Sequence, residues 1–241
     1  MAIIKPYYRI VRITKGPYPT DFIYHKKYAK DRYILIHSYK IIENDLKKIL
    51  EFIEPSDSNA NTYSHRLYEL LLRCATEFET NCKQILAANG YTGRDLNIED
   101  YFKVNQATRL SDYKVKLYTW YPHPKILSPF NEWNNGFSLR WYKDYNDVKH
   151  DRSKNFEKAK LSTVLNAAVA LFAILFAQFE CEAFTAYGDT YGYSTDKGFY
   201  YKDNSLFSIK PFTDWPQDQQ YDINPDKAQV VGEPFQQFIF S

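Results

Sequence analysis

Residues 139–160 read LRWYKDYNDVKHDRSKNFEKAK, a run without proline or glycine. Its apolar residues recur at helical spacing, which predicts one amphipathic helix from Leu139 to Lys160. At the α-helical turn angle, Trp141, Tyr145, Val148, Phe156 and Ala159 share one side, and Lys143, Asn146, Asp147, His150 and Lys154 share the other. The polar side gathers an imidazole, an amide, a carboxylate and two ammonium groups within about three turns. It is the densest cluster of usable chemistry in the chain.

Immediately downstream, Val164–Phe179 (VLNAAVALFAILFAQF) is apolar almost throughout. It is shorter than the ~20 residues of a membrane span. It also contains Asn166 and Gln178 and lies between Lys160 and Glu180. Leu161–Phe184 therefore reads as a central core helix, and no membrane is expected as a partner. Upstream, Tyr39–Ile53 places Ile42, Leu46, Leu50 and Ile53 on one stripe and ends before Pro55. Ser64–Ala88 places Leu67, Leu71, Cys74, Phe78, Cys82 and Ile85 on another and stops at Asn89-Gly90. Together these predict a mostly α protein whose apolar fourth helix is surrounded by the other three.

The remaining segments are less regular. Residues 97–105 predict a short capped helix, and 120–136, with Pro122, Pro124 and Pro129, predict a long covering or binding loop. Before the helices, IIKPYYRIVRI and DRYILI read as extended pieces joined by a turn at KGPYPT. After Tyr187, glycines and prolines alternate with aromatic pairs, so SLFSIKPF and PFQQFIF read as short strands or wrapping arms. The resulting division is an extended segment over 1–37, a helical bundle over 38–184 and an aromatic tail over 185–241.

A net charge of +2 excludes a basic nucleic-acid tail and an acidic solvating segment, leaving only local charge to decide partners. Aromatic residues make up 18% of the chain, so many tyrosines must place a ring in apolar surroundings and a hydroxyl near a partner. The three cysteines, Cys74, Cys82 and Cys181, lack CxxC spacing. Cys74 and Cys82 lie ~12 Å apart along one helix, too far for a disulfide. A reduced, cytoplasmic protein with buried thiols is expected. The N-terminus has no signal-peptide pattern.

On the polar face, Asn146 stands one turn before His150, and Lys143 two turns before it. A histidine moves protons in both directions near neutrality, an ammonium stabilises developing phosphorane charge, and an amide orients imidazole or substrate. That set suits metal-independent RNA cleavage, with His150, Asn146 and Lys143 as catalytic candidates and Lys149, Arg152 and Lys154 as phosphate-binding ones. A solvated face whose charges merely pair along the helix is the plain alternative. No HExxH-type spacing and no GxSxG elbow is present, so neither a metal nor another cofactor is expected. Arg152 projects to the apolar side, where an ion pair with Glu77 or Glu79 is expected.

The run Tyr145, Asn146, Lys149, His150, Arg152, followed by an apolar helix, resembles the HEPN superfamily over residues 38–184. The resemblance implies a four-to-five-helix HEPN-like bundle with small extended or β additions at both termini. It also implies a homodimer and metal-independent RNase activity of the toxin or defence type, with RNA and an antitoxin or other partner protein as partners. The family's motif places an Arg, followed by a polar residue, with four to six residues between that Arg and the His. Here Lys143 occupies that position, and Arg140 lies outside it. Lysine lacks the bidentate phosphate contact of arginine. A non-catalytic module binding nucleotide, RNA or protein through the same face therefore stays open, as does a scaffolding protein that binds through its aromatic tail.

Overall fold

The computed structural model describes residues 2–14, 20–136, 138–180, 192–193, 198–201, 205–222 and 232–241. The chain is mostly helical: α1 (Arg32–Leu50), α2 (His65–Ala88), short α3 (Ile98–Phe102) and α4 (Val104–Thr108), α5 (Arg140–His150), α6 (Arg152–Asn155) and α7 (Leu161–Phe179). A small antiparallel sheet joins β1 (Lys114–Leu117), β2 (Lys125–Leu127), β3 (Gly192–Tyr193), β4 (Tyr200–Tyr201) and β5 (Phe207–Lys210) in the order β2-β1-β5-β4-β3.

Helix α2 begins and ends where its sequence indicates. The Ser64 hydroxyl accepts the Leu67 N–H at 3.2 Å, and the chain leaves the helix at Asn89. Helix α7 is long and apolar enough to cross a membrane by length and composition, yet only Ser162 and Asn166 of it are not buried. Helices α1, α2 and α5 pack on it, α2 most extensively. The sheet covers another side, with Phe207 5.7 Å from Phe172 and Tyr200 5.6 Å from Phe176 between ring centroids. A helix enclosed on all sides by protein has no need of a polar face.

The polar residues of α7 are accounted for. Asn166 donates to the Ser162 carbonyl at 2.8 Å. Gln178, fully buried, accepts from Arg9 at 3.2 Å and donates to the Asn81 side chain at 2.7 Å. Arg9 also pairs with Asp31, so a chain of polar groups ties the N-terminal arm through α7 to α2. Buried polar groups are tolerated on that condition.

Several expectations are corrected. DRYILI is not extended; α1 already begins at Arg32, and Leu35, Tyr39, Ile42 and Leu46 form its buried stripe. Short apolar runs fit both periods, and here the four-residue repeat wins. Strands are not confined to the terminal segments. β1 and β2 lie inside 38–184, and β2 falls within the predicted loop at 120–136, whose Trp120, Phe130 and Trp133 are buried. The helix predicted over Leu139–Lys160 is broken at Asp151. The fourth helix ends at Phe179; residues 181–184, Cys181 and most of KGPYPT lie outside the described residues. Cys74 and Cys82 are buried free thiols; burial pushes Cys74 up to about 12 and Cys82 well above its ordinary value.

The two terminal segments interleave with each other. The Ile3 N–H donates to the Gln220 carbonyl at 2.8 Å, and the Tyr8 N–H to the Gln236 carbonyl at 3.3 Å. The buried Arg12 guanidinium lies 4.4 Å from the centre of the Trp215 ring and donates to the Gln219 carbonyl at 2.9 Å. The described tail thus grips the N-terminal arm and the end of α2, where Phe238 N–H donates to the Asn89 side chain at 2.9 Å.

Candidate functional site

The break at Asp151 organises the polar face. After His150 the backbone turns away from helix, with Asp151 at φ −144° and ψ 80°. The Asp151 carboxylate accepts from the Ser153 hydroxyl at 2.6 Å and from the Lys154 N–H at 3.3 Å, capping α6. Asn155 donates its amide back to the carbonyls of Asp147 (3.2 Å) and Asp151 (2.9 Å), satisfying groups that the end of α5 leaves open. Asp, Ser and Asn compete with the helix ladder in this way because their short side chains reach nearby backbone. The result is a fixed corner.

A second brace lies behind it. Asp147 accepts from Lys143 at 2.9 Å and from Lys158 at 2.8 Å, tying α5 to the turn beyond α6. Lys158 first, then Lys143, holds the Asp147 carboxyl below the usual carboxylate range, and Asp147 raises Lys158 in return. The Ser153 hydroxyl, helped by Lys154, likewise lowers Asp151. Lys154 pairs with Asp151 at 3.3 Å.

Of the candidates read from sequence, Lys143 is therefore committed to Asp147. Asn146 is half-buried and His150 exposed at the last turn of α5, neither making a side-chain hydrogen bond among the described residues. Lys149 lies 5.2 Å from the centre of the Tyr145 ring, and a hydrogen bond with the Tyr145 hydroxyl raises its ammonium. Arg152 makes no pair with Glu77 or Glu79. The bend carries it to α2, with its guanidinium 5.4 Å from the centre of the Tyr68 ring. Glu79 instead accepts the Tyr142 hydroxyl at 2.8 Å, which, with burial as the larger cause, keeps that phenol protonated. Arg140 stands ~15 Å along the helix from His150. It lines a separate polar pocket of about 290 Å³ with Asp144, Lys160, Thr163 and Asn166.

The structure adds residues that the reading of one helix missed. Phe156 is ringed by Tyr63, just before α2, and by His65 and Tyr68 of its first turn, with centroids at 5.4, 4.7 and 6.2 Å. Pairing of Tyr63 with Lys160, and the Leu161 N–H donating to the Thr62 carbonyl at 2.8 Å, bring these segments together. The only sequence signal was the aromatic spacing in TYSHRLY just at a helix cap; nothing in it points to Phe156.

Among the described residues no group of three or more His, Cys, Asp or Glu is placed to hold a metal ion. Comparison with known proteins finds no family model, curated protein or solved structure that matches the chain.

Proposed function

We propose that the α5–α6 corner is the RNA-engaging face of a HEPN-like domain and that His150 is its acid–base group in metal-independent RNA cleavage. One observation carries this reading. His150 and Arg152 flank a rigid bend, both exposed, and neither is neutralised by a carboxylate among the described residues. Lys143, Lys154 and Lys158 each pair with a carboxylate of the corner, which leaves His150 and Arg152 open to a ligand. Lys149, hydrogen-bonded to Tyr145 and without a carboxylate partner among the described residues, stands beside them.

In the proposed reaction a neutral His150 imidazole takes the proton of an RNA 2′-hydroxyl. The 2′-oxygen bonds to the adjacent phosphorus and the bond to the 5′-oxygen breaks. The imidazolium returns the proton to the departing 5′-oxygen, leaving a 2′,3′-cyclic phosphate and a 5′-hydroxyl. Arg152 and Lys149 offset charge on the phosphorane, Asn146 orients the imidazole or the phosphate, and Lys154 holds a flanking phosphate. A homodimer that pairs two such corners would enclose the otherwise open His150, and an antitoxin or other partner protein would act by covering it.

One observation favours a non-catalytic RNA-binding module instead: Lys143, which stands at the place of the motif arginine, is engaged by Asp147. A single experiment separates the two readings. Purified protein is incubated with a mixed single-stranded RNA pool in excess EDTA, beside His150→Ala checked for folding by circular dichroism. Cleavage lost in the variant supports the enzyme. Binding without cleavage by either leaves the module, and neither binding nor cleavage removes RNA from this face.

A further inference from the structure

The cluster around Phe156 has no part in the proton transfers above, yet it adjoins them. Arg152 is two residues from His150 and reaches over Tyr68, and Tyr68 in turn meets Phe156. The His65 ring tilts 39° from Phe156, and the Tyr63 ring stands edge-on at 84° with half its surface in solvent. His65 is exposed, and Phe156 and Tyr68 are half-buried. Rings at 63–68 thus meet Phe156 and Arg152 of the facing segment.

From this juxtaposition we propose that Tyr63, His65 and Phe156 form a stacking platform for an unpaired nucleobase of the RNA whose phosphates meet Arg152 and His150. The inference rests on the RNA reading and adds the element that binds bases. Three features support a base over an apolar peptide side chain. Tyr63 and His65, the exposed rings, carry polar atoms at their edges and so tolerate exposure. Every base offers a π face, so stacking requires no matched partner. The cations beside them suit the phosphate that accompanies each base. The platform is also prebuilt: backbone pairing between 60–62 and 160–162 sets Tyr63 against Phe156 without any ligand. Little ordering entropy is then lost on binding.

The test uses fluorescence anisotropy with a labelled 2′-O-methyl single-stranded decamer, which blocks cleavage, and the same decamer with abasic central positions. The full chain is compared with Tyr63→Ala, Tyr63→Phe, His65→Ala and Arg152→Ala. Tyr24→Ala, at an exposed ring outside the cluster, serves as the control. Tyr63→Ala is expected to weaken the base-containing probe about 5- to 150-fold, the span for losing one base stack. Tyr63→Phe and Tyr24→Ala should match wild type. His65→Ala should weaken the same probe in the same direction. The abasic probe should bind weakly and ignore Tyr63→Ala. Arg152→Ala should weaken both probes and lower the salt slope by about one. Equal wild-type binding of both probes, or a Tyr63→Ala variant that binds like wild type, overturns the platform and leaves a charge-only RNA face. If wild type binds neither probe, the RNA reading fails together with the platform, and a protein partner becomes the occupant to seek.

Discussion

Helix α7 and the α5–α6 corner are neighbours in sequence but are held by opposite means. α7 is helical because everything around it is apolar and close; its one fully buried amide, Gln178, is satisfied from two other segments. The corner is held almost entirely by its own residues, Asp147, Asp151, Ser153 and Asn155, through bonds spanning fewer than a dozen positions. One region carries stability and has no chemistry to offer. The other contributes little burial and presents a histidine and an arginine to solvent. Dense packing and open chemistry are thus kept in adjoining pieces, so loss of function at the corner need not destabilise the fold.

That contrast can be broken by mutation, beginning with the core. Phe176→Ala removes a fully buried ring and should cost about 3–5 kcal/mol in denaturant melts; a loss below ~1 kcal/mol would show that α7 is not the centre of the core. Gln178→Leu leaves Arg9 and Asn81 without their shared partner and should cost about 1–3 kcal/mol. An unchanged midpoint there would mean that the polar chain is not formed in solution. Asp151→Ala deletes the cap of α6 and should speed amide exchange at Lys154. Were exchange there unchanged, the bend would owe nothing to its own side chains. Arg152→Met should lie within ~0.5 kcal/mol of wild type, because no buried ion pair is lost. A large loss would restore the pairing with α2 that the sequence suggested.

Acid sharpens the same comparison. Asp147 and Asp151 titrate below the ordinary carboxylate value, so their contribution is present above the unfolded value near ~4 and disappears as pH falls through the lower folded values. Carboxyl carbon shifts followed by NMR should place both midpoints below ~3.9. Midpoints at or above that value would show an open corner.

Much of the helical core was legible in the residues. α2 is bounded by Ser64 and Asn89-Gly90, whose side chain and backbone act locally, and its apolar stripe is buried as the repeat implies. α7 was legible as core because Asn166 and Gln178 make a poor lipid-facing surface. Periodicity was blind to the bend, since a helical wheel continues through any residue that lacks proline or glycine. The sequence HDRSKN nevertheless contained the signal, because Asp, Ser and Asn together favour a cap over another turn. The projection of Arg152 onto Glu77 or Glu79 failed for the same reason: beyond Asp151 the wheel no longer applies.

By itself the sequence determined the α2 and α7 helices, their apolar residues, and that His150 shares one short stretch with several cations. These follow from interactions within a few turns. Only the tertiary structure decided that β1 and β2 join a strand from the tail, that the two termini interleave, and that rings from the start of α2 surround Phe156 beside Arg152. Those contacts join residues some ninety positions or more apart. No local period encodes them, and they form only because burying the apolar faces brings the segments together.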